Sequence, residues 1–368
     1  VTVTVHAPRR RPTFHALTVT ALDRLTEDSV AVTFEVPPGL REAFGFLPGQ
    51  HLTVRRVDAT GELRRSYSIC STPAELADLG LVRIGVREVA GGAFSTFARN
   101  GLRVGDAVDV LPPLGHFTTA VDPNRTRHYA AVAAGSGITP VLSLVSTTLA
   151  AEPGSFFTLL YGNRQASSVM FAEELADLKD RYPTRLRVIH VLSREPQLSA
   201  LLSGRIDADR TRAILDSGLI DASTVDEWFL CGPYGMVMDV RGVLAAGGVA
   251  DSAIRTELFH VEAEPPPVAA NGGEPVGDVS VTILLDGRES TFTMARTERV
   301  LDAALRIRAE LPYACKGGVC STCRARVVAG EVVMARNYAL EPAEVASGYV
   351  LTCQSNPATD RLVVDYDA

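Results

Sequence analysis

The chain has 368 residues, 46% of them hydrophobic, which is too long for one ordinary core and enough apolar material for two or three domains. A formal net charge of −7 and the absence of a Lys/Arg stripe argue against a protein that tracks nucleic-acid phosphates. No apolar run approaches the ~20 residues needed to cross a bilayer. The first residues lack the basic start and apolar core of a signal peptide, so a soluble cytoplasmic protein is the expectation.

Residues 15–120 read as short strands: 30–36 (VAVTFEV), 50–56 (QHLTVRR), 81–87 (LVRIGVR) and 107–110, separated by Pro/Gly turns. That pattern predicts an N-terminal antiparallel β-barrel rather than βαβ units. After residue 126 the texture changes. Strands are predicted at 129–134 (YAAVAA), 156–161 (FFTLLY), 185–192 (RLRVIHVL), 227–231 (EWFLC) and 254–259, with helices at 139–151 and 171–179. This alternation predicts an α/β domain with a mostly parallel sheet. The segment 261–278 (VEAEPPPVAANGGEPVGD) has no periodicity and reads as a linker, kept partly extended by its prolines. Beyond it, VSVTILL and STFTM form a predicted hairpin closed at Asp286–Gly287, followed by a helix at 300–307, a cysteine loop, and strands at 323–328 and 362–366. The expected division is 1–125, 126–260, the linker 261–278, and 279–368.

The six cysteines are Cys70, Cys231, Cys315, Cys320, Cys323 and Cys353, and four of them fall in the last 54 residues. Clustering of this kind points to a metal site rather than a disulfide scaffold. Cys315, Cys320 and Cys323 have the spacing C-x4-C-x2-C, and Cys353 follows 30 residues later. The leading spacing is that of plant-type [2Fe-2S] ferredoxins. A zinc knuckle normally pairs its ligands as C-x2-C twice, so it fits less well. Gly317 and Gly318 are expected to supply positive φ or close approach, and loop N–H groups to donate to the sulfurs.

Arg65–Ser66–Tyr67–Ser68 follows the strand near residue 52, and Gly92–Ala93–Phe94–Ser95 follows the next strand. A flavin needs cations and N–H donors at its phosphates and an aromatic or backbone wall at its ring. Arg65 and the loop of Gly92 and Ser95 are candidates for the first task. Tyr67 is the candidate for the second, and Ser68 for a hydrogen bond near the reactive flavin nitrogen. His116 reads as a loop residue on the barrel rim.

Gly135, Gly137, Thr139 and Pro140, in GSGITP, join a strand to a helix whose N-terminus offers N–H groups to a pyrophosphate. The stretch is not the full G-x-G-x-x-G fingerprint. Cys231, Gly232 and Pro233, in CGPYG, end a later strand, where open α/β sheets bind ligands. The alternative for Cys231 is a buried apolar-like thiol. Arg164, Arg194 and Arg205 follow other strand ends. Their bidentate forks suit a phosphate monoester and favour NADPH over NADH, the alternative being ordinary surface arginine.

Together, RSYS at 65–68, GAFS at 92–95, GSGITP at 135–140, CGPYG at 231–235 and CKGGVCSTC at 315–323 with Cys353 resemble the ferredoxin–NADP reductase superfamily fused to a C-terminal plant-type ferredoxin. Within it, FTLLYGNRQASSVMFAEELADLKDRYP, LDSGLIDASTVDEWFLCGPYGMV and IRTELFH are most similar to the branch that serves phenylacetyl-CoA epoxygenases in phenylacetate catabolism. The resemblance implies FAD in the barrel, NADPH as donor, a β-grasp [2Fe-2S] domain, and transient electron delivery to the oxygenase subunits of a di-iron monooxygenase. It implies flavin contact for Arg65, Tyr67 and Ser68, and flavin pyrophosphate contact for Ser95. It puts Thr139 and Cys231 on the nicotinamide side, and Glu257 and Phe259 in a segment near the flavin face. Ser68, Cys231 and Glu257 are the catalytic candidates.

No paired E-x-x-H motif is present, so oxygen chemistry is expected to belong to the partner. Hydride transfer to the flavin is mainly a positioning task, and the cofactors carry the hard chemistry. Two alternatives stay open. One is a reductase of the same design for a steroid or aromatic-ring hydroxylase, with NADH as donor. The other is a non-enzymatic electron carrier or assembly protein, against which the intact RSYS, GSGITP and CGPYG motifs argue.

Overall fold

The computed structural model describes residues 13–58, 61–259 and 278–368. The described residues divide into two compact units, 14–259 and 278–368. Residues 261–277 of the expected linker lie outside the described residues, and residue 278 already opens a strand.

The larger unit begins with strands β1 (His15–Thr26), β2 (Ser29–Glu35), β3 (His51–Asp58) and β4 (Gly61–Ser68), helix α1 (Pro73–Leu79), strand β5 (Leu81–Arg87), helix α2 (Ala93–Asn100) and strand β6 (Ala107–Leu114). The six strands form one antiparallel sheet in the order β4-β3-β6-β1-β2-β5. Alternation along β1 turns Leu17 and Val19 inward, onto Phe34, Leu52, Val54 and Ile84. Helix α1 starts in a capping box between Thr72 and Glu75 and stops at Gly80 in the left-handed conformation.

Two corrections arise here. Strand β1 has no counterpart among the predicted strands, because polar residues fill most of its solvent face and its last turn. The RSYS motif follows β3, as expected, but it lies on a strand of its own, β4. Its register with β3 pairs His51 with Ser68, Leu52 with Tyr67 and Val54 with Arg65. GELRRSYS carries too little apolar alternation to announce a strand, and pairing with β3 supplies what the pattern lacks.

The α/β part comprises β7 (His128–Ala134), α3 (Ile138–Ala151), β8 (Phe156–Asn163), α4 (Ala172–Arg181), β9 (Leu186–Leu192), α5 (Ala208–Asp216), β10 (Glu227–Gly232), α6 (Tyr234–Ala246) and β11 (Ile254–Leu258). Its sheet is parallel throughout, in the order β11-β10-β7-β8-β9, as the alternation predicted. Strand β5 of the first sheet packs directly on this part. A Cβ at Gly85 would lie 2.5 Å from Thr139 Cγ2 and 3.0 Å from Phe171 Cζ. Ser143 Oγ donates to the Ser71 carbonyl at 2.7 Å, and Arg83 pairs with Glu174 at 2.6 Å. These contacts fix the two sheets against each other, and they position the site described below.

The smaller unit holds β12 (Asp278–Leu285), β13 (Arg288–Ala295), α7 (Val300–Leu305), β14 (Arg324–Ala329), β15 (Val332–Met334), α8 (Pro342–Ala346), β16 (Tyr349–Leu351), β17 (Ser355–Pro357) and β18 (Arg361–Asp365). Its main sheet runs β13-β12-β18-β14-β16, beside a two-stranded pair β15-β17. The predicted hairpin is present. Asp286 and Gly287 have φ of 54° and 67°, the double left-handed turn that matches strand twist. Alternating Val279, Val281, Ile283 and Leu285 pack on Val300, Leu301, Leu362 and Val364. The architecture is therefore multidomain: an antiparallel sheet, a parallel α/β sheet, and a C-terminal domain around the cysteine loop. Among the described residues, no helix is long and apolar enough to cross a membrane.

Candidate functional site

Strand pairing brings the three expected catalytic residues together. Cys231 on β10 and Glu257 on β11 are register partners, and Ser68 arrives at the end of β4. Ser68 Oγ donates to Glu257 Oε2 at 2.9 Å, and the Cys231 thiol lies 3.9 Å from the same oxygen. A fourth residue, His51, was not singled out from sequence. It pairs with Ser68 across β3 and β4, is buried, and places Nδ1 3.9 Å from Glu257 Oε1. Its Nε2 is a buried polar atom with no hydrogen-bond partner among the described residues. Gly115, at φ +117°, leaves room for this ring, since a Cβ there would lie 2.9 Å from His51 Nδ1.

The electrostatics of this group follow from burial. Desolvation pushes Glu257 up to about 8, against the hydrogen bonds from Ser68 and Cys231 that pull it down. Desolvation also holds His51 down at about 4, with the charge of His116 acting in the same direction. The Cys231 thiol is raised well above its ordinary range, by burial first and Glu257 second. At neutral pH the cluster is thus uncharged, with a proton on Glu257.

The flavin candidates flank this cluster along β4. The Tyr67 ring lies 5.4 Å from Phe94 and burial pushes its phenol up, partly offset by Arg65. Arg65 is exposed and donates to the Arg64 carbonyl at 2.7 Å, while the Ser66 hydroxyl lies 3.3 Å from that of Thr53. Gly92 and Ser95 form the N-terminal turn of α2 rather than an open loop. Ser95 Oγ donates to the Gly92 carbonyl at 3.1 Å and accepts from Val89 N at 3.2 Å. A Cβ at Gly92 would meet Ser95 Oγ at 2.5 Å. A hollow of about 460 Å³ opens there, lined by Arg56, Gly91, Gly92, Thr96 and Phe97 among others. The Arg56 guanidinium sits 4.0 Å over the Phe97 ring, a cation beside a helix N-terminus that no sequence motif marks.

The GSGITP turn precedes α3 with Gly135 at φ +54°. Gly137 is required by close approach, because a Cβ would lie 2.2 Å from the Cys231 carbonyl oxygen. Thr139 and Pro140 are buried at the start of α3, and the Thr139 hydroxyl donates to the Ser136 carbonyl at 3.0 Å. These three residues shape the turn by packing. Arg87, at the end of β5 and also unforeseen, brings Nη1 to 3.0 Å from where a Gly135 Cβ would stand. Gly232 is less tightly held, since a Cβ there would lie 2.6 Å from the movable Met236 Cε and 3.2 Å from Ala134 Cβ, and Pro233 caps α6. Arg164 and Arg194 are joined by a 2.8 Å backbone hydrogen bond past the ends of β8 and β9, and the Leu192–Ser203 bridge brings Arg205 alongside. All three are exposed at that corner. Phe259 lies one residue beyond β11, 38% exposed.

In the smaller unit, the loop between α7 and β14 carries Cys315, Cys320 and Cys323, and the later turn Thr352–Gln354 brings Cys353 to them. Their thiols lie in two pairs, Cys315 with Cys320 and Cys323 with Cys353. Gly317 N donates to Cys315 Sγ at 3.3 Å and Cys315 N to Cys320 Sγ at 3.5 Å. Gln354 Nε2 reaches Cys353 Sγ at 3.7 Å. Positive φ falls at Lys316, Gly318 and Ser321, which corrects the expectation for Gly317. Among the described residues no three Cys, His, Asp or Glu side chains converge on a single-ion centre. Two thiol pairs with N–H groups aimed at the sulfurs fit two irons, each taking two thiolates, better than one zinc ion. Cys70 is separate. It is buried, raised to about 12 by desolvation, and donates to the Arg83 carbonyl at 3.3 Å.

Comparison with known proteins agrees with this division of labour. Residues 16–119 match an oxidoreductase FAD-binding domain, 131–242 an oxidoreductase NAD-binding domain, and 283–358 a 2Fe-2S iron–sulfur cluster binding domain. The cofactor set expected from the motifs, with FAD, a nicotinamide nucleotide and a [2Fe-2S] cluster, is thereby supported. The chain is 45% identical over 359 residues to one of the subunits of the 1,2-phenylacetyl-CoA epoxidase of Escherichia coli (strain K12), covering 97% of this chain and 98% of that one. It is 33% identical to the ferredoxin reductase component of 3-ketosteroid-9-alpha-monooxygenase of Rhodococcus rhodochrous, covering 95% and 96%. The solved structure of phthalate dioxygenase reductase superposes with a TM-score of 0.58 at 21% identity over 96% of this chain and 98% of that one, a likeness of fold. The chain belongs to the family of flavin- and iron–sulfur-dependent oxidoreductases that join FAD-binding, NAD-binding and 2Fe-2S domains in one polypeptide.

Proposed function

We propose that the chain is the NADPH-dependent reductase component of a di-iron monooxygenase that epoxidises phenylacetyl-CoA. The observation that carries this reading is the 45% identity, over nearly the full length of both chains, to a subunit of a 1,2-phenylacetyl-CoA epoxidase. When bound, FAD accepts hydride from the nicotinamide and the [2Fe-2S] cluster passes electrons onward one at a time.

The chain's own residues take the following parts. Cys315, Cys320, Cys323 and Cys353 hold the irons. Arg56, Arg65 and the N-terminal turn of α2, with Gly92 and Ser95, hold the flavin phosphates. Ser66, Tyr67 and Phe259 border the ring. Ser68 and Glu257 hold a proton beside it, and Cys231 shapes the nicotinamide face. The turn of Gly135, Gly137, Thr139 and Pro140 takes the nicotinamide pyrophosphate together with Arg87, Gly232 and Pro233. Arg164, Arg194 and Arg205 form a corner suited to a phosphate monoester, which supports NADPH over NADH.

The domain division at 1–125, 126–260, 261–278 and 279–368 is part of the same proposal, as is closure of the first sheet into a barrel. A bridge between Ile69, just after β4, and Ile84 on β5 joins the two edges of that sheet and supports closure. The parallel β12–β18 pair beside α7 supports a β-grasp domain. Reduced cysteines around an iron–sulfur loop suit a cytoplasmic location.

The test follows oxidation of NADPH and, in parallel, of NADH by the cofactor-loaded chain, with phenylacetyl-CoA and the candidate oxygenase subunits. Epoxide formation that requires this chain, with NADPH preferred, supports the reading. Dye reduction without support of that oxygenase would move the protein to another, such as the steroid system named for the 33% relative.

A further inference from the structure

The environment of Cys353 contains a charge that no ligand motif includes. Arg299 directly precedes α7, which packs against the turn Thr352–Gln354 that carries Cys353. Arg299 Nη1 donates to the Gln354 carbonyl at 2.9 Å and to Asn356 Oδ1. Gln354 in turn donates through Nε2 to Cys353 Sγ at 3.7 Å and to the Lys316 carbonyl at 2.8 Å. The guanidinium is therefore tied to the backbone of the residue that follows one cysteine, and the side chain of that same residue grips the loop of the others.

Nearby carboxylates are engaged elsewhere. Asp302 pairs with Lys316 at 2.8 Å, and Glu298 pairs with Arg306. Arg336 adds a second positive charge close to Arg299. Among the described residues Arg299 has no carboxylate within ion-pair distance. It is half-buried, so water and salt screen it less than a surface arginine. Burial opposes its charge, the Cys353 sulfur and then the Asp302 carboxylate favour it, and a guanidinium stays protonated in either case.

We propose that Arg299 is a potential-setting residue, whose positive charge beside Cys353, held in no ion pair of its own, raises the reduction potential of the two-iron site. The inference rests on the reading of the four cysteines as cluster ligands. An electron arriving from the reduced flavin adds one negative charge to a centre already surrounded by four thiolates. A fixed cation next to one of them stabilises the reduced form more than the oxidised one. The effect is directed at uptake of the electron and leaves the flavin's own potential alone.

The test is a potentiometric titration of the full-length holoprotein, with the cluster followed by EPR and the flavin by absorbance, for the parent, Arg299→Gln and Arg299→Lys. Arg299→Gln is expected to shift the one-electron equilibrium of the cluster about tenfold towards the oxidised form, a fall of about 59 mV. The flavin potential should stay unchanged, and Arg299→Lys should keep the parent value to within a factor of two. An unchanged cluster potential in Arg299→Gln, or an equal fall in both variants, overturns the proposal. If Arg299→Gln fails to retain the cluster, Arg299→Lys decides alone: a retained potential supports the proposal and a tenfold fall overturns it. Absence of any two-iron signal in the parent would instead overturn the reading of the cysteines.

Discussion

Glu257 connects the chemistry of the larger unit to its stability. In the unfolded chain it ionises near 4.5, whereas burial raises it to about 8 in the fold. Between these values the native state keeps a proton that the unfolded state has released. The contribution is fully present below about 4.5 and is lost as pH rises through about 8. Melting temperature is expected to be lower at about pH 9 than at about pH 6, and Glu257→Gln to flatten that difference; thermal scans of both proteins at the two pH values check it. An undiminished difference in the variant would assign the titration to another group. Gly137 permits a second test. Because its Cβ position lies 2.2 Å from a backbone carbonyl oxygen, Gly137→Ala has no flexible neighbour to displace. The expected loss is about 1–3 kcal/mol of stability, with weakened nicotinamide binding, measured by thermal unfolding and nucleotide titration. Ser68 and Cys231 were singled out because each belongs to a motif, RSYS and CGPYG, and Glu257 because IRTELFH resembles a family segment. His51, Arg56 and Arg87 were not, because a single histidine or arginine on a strand has no spacing partner, and only the fold shows what it faces.

Elements were most legible where one pattern dominates. The parallel strands β7, β8 and β10 read as continuous apolar runs because both of their faces are covered. The hairpin of β12 and β13 was marked by Asp286–Gly287 between two alternating segments. Helix α6 escaped because apolar residues occur almost all round it and mask the helical period, although Met236, Val237, Val240, Val243 and Leu244 are the buried set. The short strands β15, β16 and β17, of three residues each, carry too few positions for any periodicity. The support of the hairpin turn is invisible locally, since its partner lies at the far end of the sequence. The Asp367 carboxylate accepts from Asp286 N at 2.8 Å and Gly287 N at 2.9 Å. Asp367→Ala is expected to cost the iron–sulfur domain about 1 kcal/mol, seen as an earlier loss of cluster absorbance in a denaturant titration. An unchanged midpoint would show that water replaces the carboxylate without penalty.

At the scale of the whole molecule, order along the chain was the strongest signal. Flavin, nicotinamide and cluster motifs occur in sequence, and the three domain matches fall on the same stretches. Likeness to the steroid and phthalate reductases shows that this order is shared across proteins serving different oxygenases, so the choice of acceptor is carried by finer sequence identity and not by architecture. What unites them is the direction of electron flow: a nicotinamide reduces the flavin, and the flavin reduces the cluster, held here by Cys315, Cys320, Cys323 and Cys353. The most direct test adds NADPH anaerobically to the cofactor-loaded full-length chain without any partner, following flavin absorbance and the EPR of the iron–sulfur centre together. The account predicts bleaching of the flavin followed by the signal of a one-electron-reduced two-iron centre. Bleaching that never reaches the cluster, or no response to either nicotinamide, would contradict it.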